Sequence, residues 1–328
     1  MTRPIIVPLD QSAQAAAAVP IAAEVAARLG TPLQFVLVHA FVPVSPGMEG
    51  GATQLHEVDL QLHDEEAKYL RRTVQQVATD VGISASALML EGSASGALVQ
   101  HARDSEARLV VMTTHGRGGV SRLFLGSVAD RLIRGLHCPV LLAHPTDPPT
   151  VGAAPSMHRD HRRRVLIPLD GSALSECIVD EVLALFGRDA VCLELLRIVP
   201  PIADWTPLHE LASSGSAEAA DGSVEAASLY LQRVAKRLRE DGVETHVSTC
   251  VDHADGRVIL AHAEARHPDL IALTTRGLGR IERAILGSVA DKVVRGALVP
   301  VLVWNAPTNA TSALLGRVGR PGALVSAG

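Results

Sequence analysis

Two stretches of this chain combine glycine, serine and an acid at a spacing suited to anion chemistry. The first reads Val111-Met112-Thr113-Thr114-His115-Gly116 and, after nine intervening residues, Gly126-Ser127-Val128-Ala129-Asp130. The second reads Ala272-Leu273-Thr274-Thr275-Arg276-Gly277 and, after the same nine residues, Gly287-Ser288-Val289-Ala290-Asp291. Each follows an apolar run that reads as a buried strand and opens an amphipathic segment that reads as a helix. Glycine lets backbone amides approach a phosphate closely, the free amides of a first helical turn point at it, and the helix dipole favours its charge. The plainer reading is that Gly116 and Gly126 only shape a connection. Recurrence at identical spacing favours the anion site.

The elements that must position these loops follow from the apolar pattern. Ile5 to Leu9 is a short buried strand ending in Asp10, and Ser12 can cap the helix that follows until Gly30 and Pro32 end it. Leu33 to Val38 is a second strand. Phe41 to Glu57, rich in Pro and Gly, reads as an irregular loop. From Val58 to Val81, Leu62, Ala67, Leu70, Val74, Val77 and Val81 recur at helical spacing. A weak strand, a helix from Ala97 to Ala107, the strand Leu109 to Met112, a helix from Ser127 to about Leu136 and the strand Pro139 to Ala143 complete the unit. Short buried strands alternating with helices give a parallel sheet covered on both faces, with ligands bound outside the strand carboxyl ends where the strand order reverses.

The unit then repeats. Val165-Leu166-Ile167-Pro168-Leu169-Asp170 matches Ile5 to Asp10 at an offset of 160, and Gly277 follows Gly116 by 161, so a whole domain is duplicated. The second copy reads as strand 165–169, helix 172–186, strand 191–197, a loop over 200–223, helix 224–240, strand 243–249, helix 256–266, strand 270–274, helix 288–297 and strand 300–304. The resulting division is domain 1 over residues 1–144, a Pro-rich linker over 145–163, domain 2 over 164–305 and a flexible tail over 306–328. The His and Arg cluster from His158 to Arg164 reads as a solvated linker end.

Composition limits the function classes. With 47% hydrophobic and 20% charged residues, this is a globular chain whose 328 residues allow two domains. Aromatics at 2% argue against single-strand nucleic-acid binding, which relies on stacking, and a net charge of -5 gives no general attraction to nucleic acid or an anionic membrane. No window approaches the roughly 18 apolar residues of a membrane span. The four cysteines are scattered, with no CxxC and no zinc spacing; Cys177 and Cys192 lie in apolar patterns that suit buried free thiols, and no metal site is expected. A reduced, cytoplasmic compartment fits. No Walker A lysine, dinucleotide fingerprint or nucleophile elbow is present, and no catalytic residue is assigned. His115 is replaced by Arg276 in the second copy, and arginine does not transfer protons near neutral pH, so no shared catalytic role rests on that position. Asp130 and Asp291 suit the helix dipole, with a Mg²⁺ role as the lesser alternative.

Val7-Pro8-Leu9-Asp10, His115-Gly116-Arg117-Gly118-Gly119, Leu125-Gly126-Ser127-Val128-Ala129-Asp130 and Cys138-Pro139-Val140-Leu141 together resemble a universal stress protein domain. Ile167-Pro168-Leu169-Asp170-Gly171-Ser172, Leu286-Gly287-Ser288-Val289-Ala290-Asp291 and Val299-Pro300-Val301-Leu302 do so again, and the whole chain resembles a tandem, two-domain member of that family. The resemblance implies an α/β fold of two doubly wound domains, each with a five-stranded parallel sheet in the order 3-2-1-4-5, and for one branch of the family ATP binding. That branch carries G-x-x-G, nine residues, then G-[ST]. On this chain Gly116, Gly126 and Ser127, and Gly277, Gly287 and Ser288, would hold phosphates. Asp10 and Asp170 would lie at the adenosine end, and backbone just after the second strand, near Ala40 and Ile198, would meet adenine. Thr113 and Thr274 stand where the pattern has its first glycine, either narrowing the pocket or replacing a contact with the hydroxyl. Gln11 stands where the second half has Gly171. The resemblance also implies pairing through the last strands, here Val140-Leu141-Leu142 with Val301-Leu302-Val303 as an internal pseudo-dimer, and leaves further association into a homodimer open. The expected function is regulatory, through ATP-dependent conformation or partner contacts in a stress response, with at most slow hydrolysis assisted by Mg²⁺. The alternative is a scaffold that binds no nucleotide, in which the glycine loops are only structural.

Overall fold

A computed structural model describes residues 3–39, 52–113, 125–143, 162–201, 223–253, 256–275 and 286–307. The first half runs β1 (Ile5–Leu9), α1 (Ala13–Ala16), α2 (Val19–Leu29), β2 (Leu33–His39), α3 (Ala52–Val81), β3 (Ala85–Glu91), α4 (Ala94–Asp104), β4 (Leu109–Thr113), α5 (Ser127–Gly135) and β5 (Val140–Ala143). The second half runs β6 (Arg163–Pro168), α6 (Ala173–Phe186), β7 (Val191–Val199), α7 (Val224–Glu240), β8 (Glu244–Val251), α8 (Gly256–Arg266), β9 (Leu270–Thr274), α9 (Ser288–Gly296) and β10 (Val301–Trp304).

The strands form one ten-stranded sheet in the order β3-β2-β1-β4-β5-β10-β9-β6-β7-β8. Each half is therefore a 3-2-1-4-5 parallel sheet, as expected. The halves join through the antiparallel pair β5–β10, with Val301 opposite Leu142, Leu302 opposite Leu141 and Val303 opposite Val140. These apolar strands are buried by each other's half, so neither presents an open edge at the junction.

Alternation along the strands feeds two apolar layers that run through both halves. Ile5, Val7, Phe35, Val111, Ile167 and Leu195 face the layer closed by α2, α3, α6 and α7. Ile6, Val110, Leu142, Leu166, Leu196 and Val303 face the layer closed by α4, α5, α8 and α9. Each fully buried Leu, Ile or Phe in these layers contributes about 1.5–3 kcal/mol relative to exposure. Across the halves α2 packs on α6. There the Arg163 guanidinium pairs with both carboxylate oxygens of Glu24 at 3.0 and 2.8 Å and lies 4.5 Å from the Phe186 ring centre. Arg108 pairs with Glu181 across the same boundary.

Several local expectations are corrected. The single helix expected after Ser12 is two: α1 ends at Ala16 and α2 restarts at Val19, with Pro20 in its first turn. Pro20 has no N–H to continue the ladder and its ring would crowd the preceding turn. The second half has Asp180 at the matching position, and α6 is unbroken. Helix α3 starts by Ala52, inside the stretch read as a loop. On it Leu70 and Val77 are buried, while Leu62 is exposed in turns that present Glu66 to the sheet and Val81 is exposed at the helix end. The arginines at the start of the second half belong to the sheet or directly precede it rather than lying in a linker, although Arg162 and Arg164 are exposed as expected. Arg163 and Arg164 lie in β6, and Arg162 pairs with Glu244 at 2.7 Å. Residues 145–161 of the expected linker and 308–328 of the expected tail lie outside the described residues.

Candidate functional site

β1 and β4 are neighbours whose following helices leave on opposite faces of the sheet, and β6 and β9 repeat this arrangement. Their carboxyl ends mark the topological switch points, and the candidate residues gather there.

At the end of β1, Asp10 Oδ1 accepts hydrogen bonds from the Ser12 amide at 3.0 Å and the Ser12 hydroxyl at 2.6 Å. Ser12 Oγ in turn accepts from the Ala15 amide at 3.0 Å and caps α1. The second half repeats the device: Asp170 Oδ1 accepts from the Ser172 amide at 2.9 Å and its hydroxyl at 2.6 Å, and Ser172 caps α6. The residue between acid and serine must turn left-handed, with φ of 66° at Gln11 and 85° at Gly171. Glycine adopts this freely and glutamine does not. In the second half a Cβ at 171 would also crowd the end of the Arg197 side chain, 3.0 Å from Nη1. The first half has the buried Leu37 at the position of Arg197.

Thr113 and Thr274 end β4 and β9 and are buried. By alternation with Val111 and Ala272 they belong to the opposite face of the sheet from α5 and α9. Gly126 and Gly287 are the N-caps of those helices, in extended backbone that any residue can adopt. What Gly287 supplies is close approach. Its amide donates to the Thr275 carbonyl at 3.0 Å, and a Cβ would lie 2.8 Å from that oxygen. The first backbone bonds of the helices are Asp130 N to Gly126 O at 3.0 Å and Asp291 N to Gly287 O at 2.8 Å. Among the described residues no side chain caps either helix, whereas serines cap α1, α6 and α7. Ser127 and Ser288 are exposed at these helix starts. Asp130 and Asp291 each chelate the arginine one turn on, with both carboxylate oxygens 2.9 Å from Nε of Arg134 or Arg295. The Asp291 hydrogen bond holds the Arg295 guanidinium above its ordinary value.

The structure thus brings Asp10, Thr113, Gly126 and Ser127 to one switch point, and Asp170, Thr274, Gly287 and Ser288 to the other. Ala40, Gly116 and Gly277 lie outside the described residues. Ile198 is corrected: it lies inside β7, opposite Cys250, and packs into the layer under α8 and α9. β2 ends at His39 and β7 at Val199, so the residue that matches Ala40 is Pro200. Cys192 is also corrected. It is only half-buried and stands opposite Glu244 in the β7–β8 ladder.

Sequence reasoning missed two polar clusters beside these sites. In the first half His39, 2% exposed, bonds Glu66 Oε2 through Nδ1 at 2.7 Å and Asp59 Oδ1 through Nε2 at 3.3 Å, with the His63 ring edge-on at 5.3 Å. Burial pulls the His39 ring down, but the hydrogen bond and charge of Glu66, then of Asp59, outweigh it and leave the ring above the ordinary histidine value. In the second half Arg197 donates to the Leu169 carbonyl at 3.3 Å and lies 5.9 Å from the Tyr230 ring centre. Tyr230 donates to Glu176 Oε1 at 3.0 Å, and Arg237 pairs with the other oxygen at 3.4 Å. Burial lowers Arg197, with Asp170 opposing, and raises the Tyr230 hydroxyl. The one available signal was a charge inside an apolar run: Arg197 interrupts Leu195-Leu196 and Ile198-Val199.

The profile of the Universal stress protein family matches residues 1–144 and again 161–305. A universal stress protein of Mycolicibacterium smegmatis is 26% identical over 308 residues, covering 91% of this chain and 96% of that protein. One from Mycobacterium tuberculosis H37Rv is 28% identical over 318 residues, covering 91% and 95%. The crystal structure of a universal stress protein from Archaeoglobus fulgidus shares the fold with a TM-score of 0.64 at 16% identity, covering 93% of this chain and 97% of that one. No helix among the described residues is long and apolar enough to cross a membrane. Two matches side by side, on two copies of one sheet, place this chain in the universal stress protein family as a tandem of two of its domains.

Proposed function

We propose that each half binds ATP outside the carboxyl ends of its central strands, and that occupancy regulates conformation or partner contacts in a stress response. The observation that carries this reading is the start of α5 and of α9. Each opens on Gly-Ser at a switch point, beside an Asp-x-Ser turn, with no side-chain cap among the described residues. First-turn amides left without a cap, at the positive end of a helix, are what a phosphate needs. Thr113 and Thr274 sit on the far face from α5 and α9, so their side chains leave the approach to those amides clear. Asp10 and Asp170 lie at the adenosine end, fixed by the serine two residues on. Mg²⁺ would accompany the nucleotide, and any hydrolysis would follow from positioning.

Calorimetric titration of ATP with Mg²⁺ into nucleotide-free protein, with ADP and GTP as controls, is expected to give two sites per chain. At a hundredfold excess over Kd, ATP would stabilise the fold by about 2.7 kcal/mol per site. Ser127→Asp and Ser288→Asp place a carboxylate where the helix dipole favours it but a phosphate is repelled, so each is expected to remove one site while keeping the fold. ATP binding that survives both changes together overturns the assignment. The Gly287 approach to Thr275 favours a second reading, in which the glycines serve only packing and the protein is an interaction scaffold. Absence of ATP heat, with no ATP-dependent shift in Tm, selects that reading.

A further inference from the structure

The opposite end of β7 and β8, away from the candidate nucleotide sites, carries a second constellation. The parallel ladder sets Cys192 opposite Glu244 and Glu194 opposite His246. Side chains two residues apart in a strand share a face. Cys192, Glu244 and His246 therefore form a triangle on one face of the sheet, and their ligand atoms all lie within 4.8 Å of one another. Glu244 offers Oε1 to His246 Nε2 at 3.4 Å, while its other oxygen accepts from Arg162 at 2.7 Å. Two hydrogen-bonded strands hold the backbone of all three.

We propose that Cys192, Glu244 and His246 form a binding site for a divalent cation of the zinc class, with water in the fourth position. Thiolate, imidazole and carboxylate are the donor types that zinc takes, and bonds of 2.0–2.3 Å in a tetrahedron place donors about 3.3–3.8 Å apart. Small rotations of three exposed or half-exposed side chains close the present triangle to that size. A thiolate and a carboxylate neutralise the ion's two charges, so the neighbouring Arg162 is tolerated. Its bond to the outer carboxylate oxygen orients Glu244, as an outer-shell partner does. Binding replaces the Cys192 S–H bond with a sulfur–metal bond and releases that proton to solvent.

The duplication supplies an internal control. The β2–β3 register places Pro32, Ser84 and Ser86 at the three matching positions, and none is a thiol, imidazole or carboxylate. The surroundings are otherwise kept: His101 bonds Gln34 at 2.7 Å in the first half, and His262 bonds Glu194 at 2.6 Å in the second. The second half thus carries the three donors on a strand pair whose counterpart in the first half has none of them.

The test uses the full chain, stripped with a chelator and kept under a non-thiol reductant. Titration with Co²⁺ is expected to give one equivalent bound, with tetrahedral visible bands and a thiolate-to-cobalt charge-transfer band that Zn²⁺ abolishes. Cys192→Ser removes the charge-transfer band, and His246→Ala weakens Co²⁺ binding at least about tenfold, the order seen when even outer-shell support is lost. Both changes are at accessible positions, and unchanged circular dichroism and melting of the metal-free variants establish that they fold. Zn²⁺ raises the Tm of the parent and leaves that of Cys192→Ser unmoved. No stoichiometric binding by the parent, or a charge-transfer band that persists in Cys192→Ser, overturns the proposal.

Discussion

In the first half, the inner face at the end of β2 holds His39 between Glu66 and Asp59. In the second half the matching residue is Val199, and charge enters two positions earlier as Arg197, against Tyr230 and beside Asp170. Strand order, helix placement and the Asp-x-Ser turn are shared. The polar group that borders the candidate nucleotide site is not. A duplicated fold keeps the strand ladder, in which His39 pairs with Glu91 and Arg197 with Thr249, while the side chains at the carboxyl ends of its strands differ. The difference reaches a neighbour: a Cβ at 171 would crowd Arg197, whereas the first half has Leu37 at that position and carries Gln11 in the same left-handed backbone.

The comparison can be broken most strongly at Glu66. Glu66→Ala leaves a buried His39 without its closer partner and is expected to cost the first half about 3 kcal/mol. Hydrogen exchange should show β2 and β3 opening more often while β7 and β8 are unchanged. The same cluster makes a pH prediction with a definite sign. A histidine whose folded pKa lies above its unfolded value of about 6.5 gives stability that is full below that value and is lost as pH rises through the folded pKa. Protection in β2 and β3 should therefore fall from mildly acid to mildly alkaline pH, and His39→Gln should flatten that dependence.

Next in size is Gly287→Ala. The added methyl meets the Thr275 carbonyl, a backbone atom that cannot swing aside, so a loss of about 2 kcal/mol is expected by denaturant melting. Because α9 must retreat from β9, the proposed ATP site of the second half should weaken with it. Gly171→Gln, which copies the first half, is expected to cost about 1–2 kcal/mol from the left-handed backbone and the crowded Arg197. In an Arg197→Leu background the crowding part disappears, and a double-mutant cycle should return a favourable coupling. The smallest effect is the reverse exchange, Gln11→Gly, a gain of up to about 1 kcal/mol. A loss there would mean that the Gln11 side chain makes contacts of its own.

Much of the fold was legible because strands buried on both faces announce themselves as apolar runs, and duplication let one half check the other. That the halves join through Val140 to Leu142 and Val301 to Val303 came from the family resemblance, and their antiparallel register is a property of the assembled sheet. What escaped was set by single residues or by tertiary partners. Pro20 splits a helix that its copy leaves whole. Glu66 reads as a surface acid on an amphipathic helix until His39 is placed beneath it. Cys192 lies 52 residues from Glu244, and no spacing rule connects them before the strands are paired. At the candidate site, the acids and the Gly-Ser helix starts were found from sequence. Ile198 was misplaced because the strand runs two residues further than its apolar pattern suggested.

The β5–β10 seam has a consequence for behaviour on dilution. Had each half been a separate chain, the seam would form only at concentrations above its dissociation constant, and two identical copies would compete with any mixed pair. Tethering makes closure intramolecular, with an effective concentration set by the connecting chain. The unlike sites of the two halves are thereby kept at a fixed one-to-one ratio, however scarce the protein becomes. Either half expressed alone would expose its last strand and recover the partnership only by finding a second molecule.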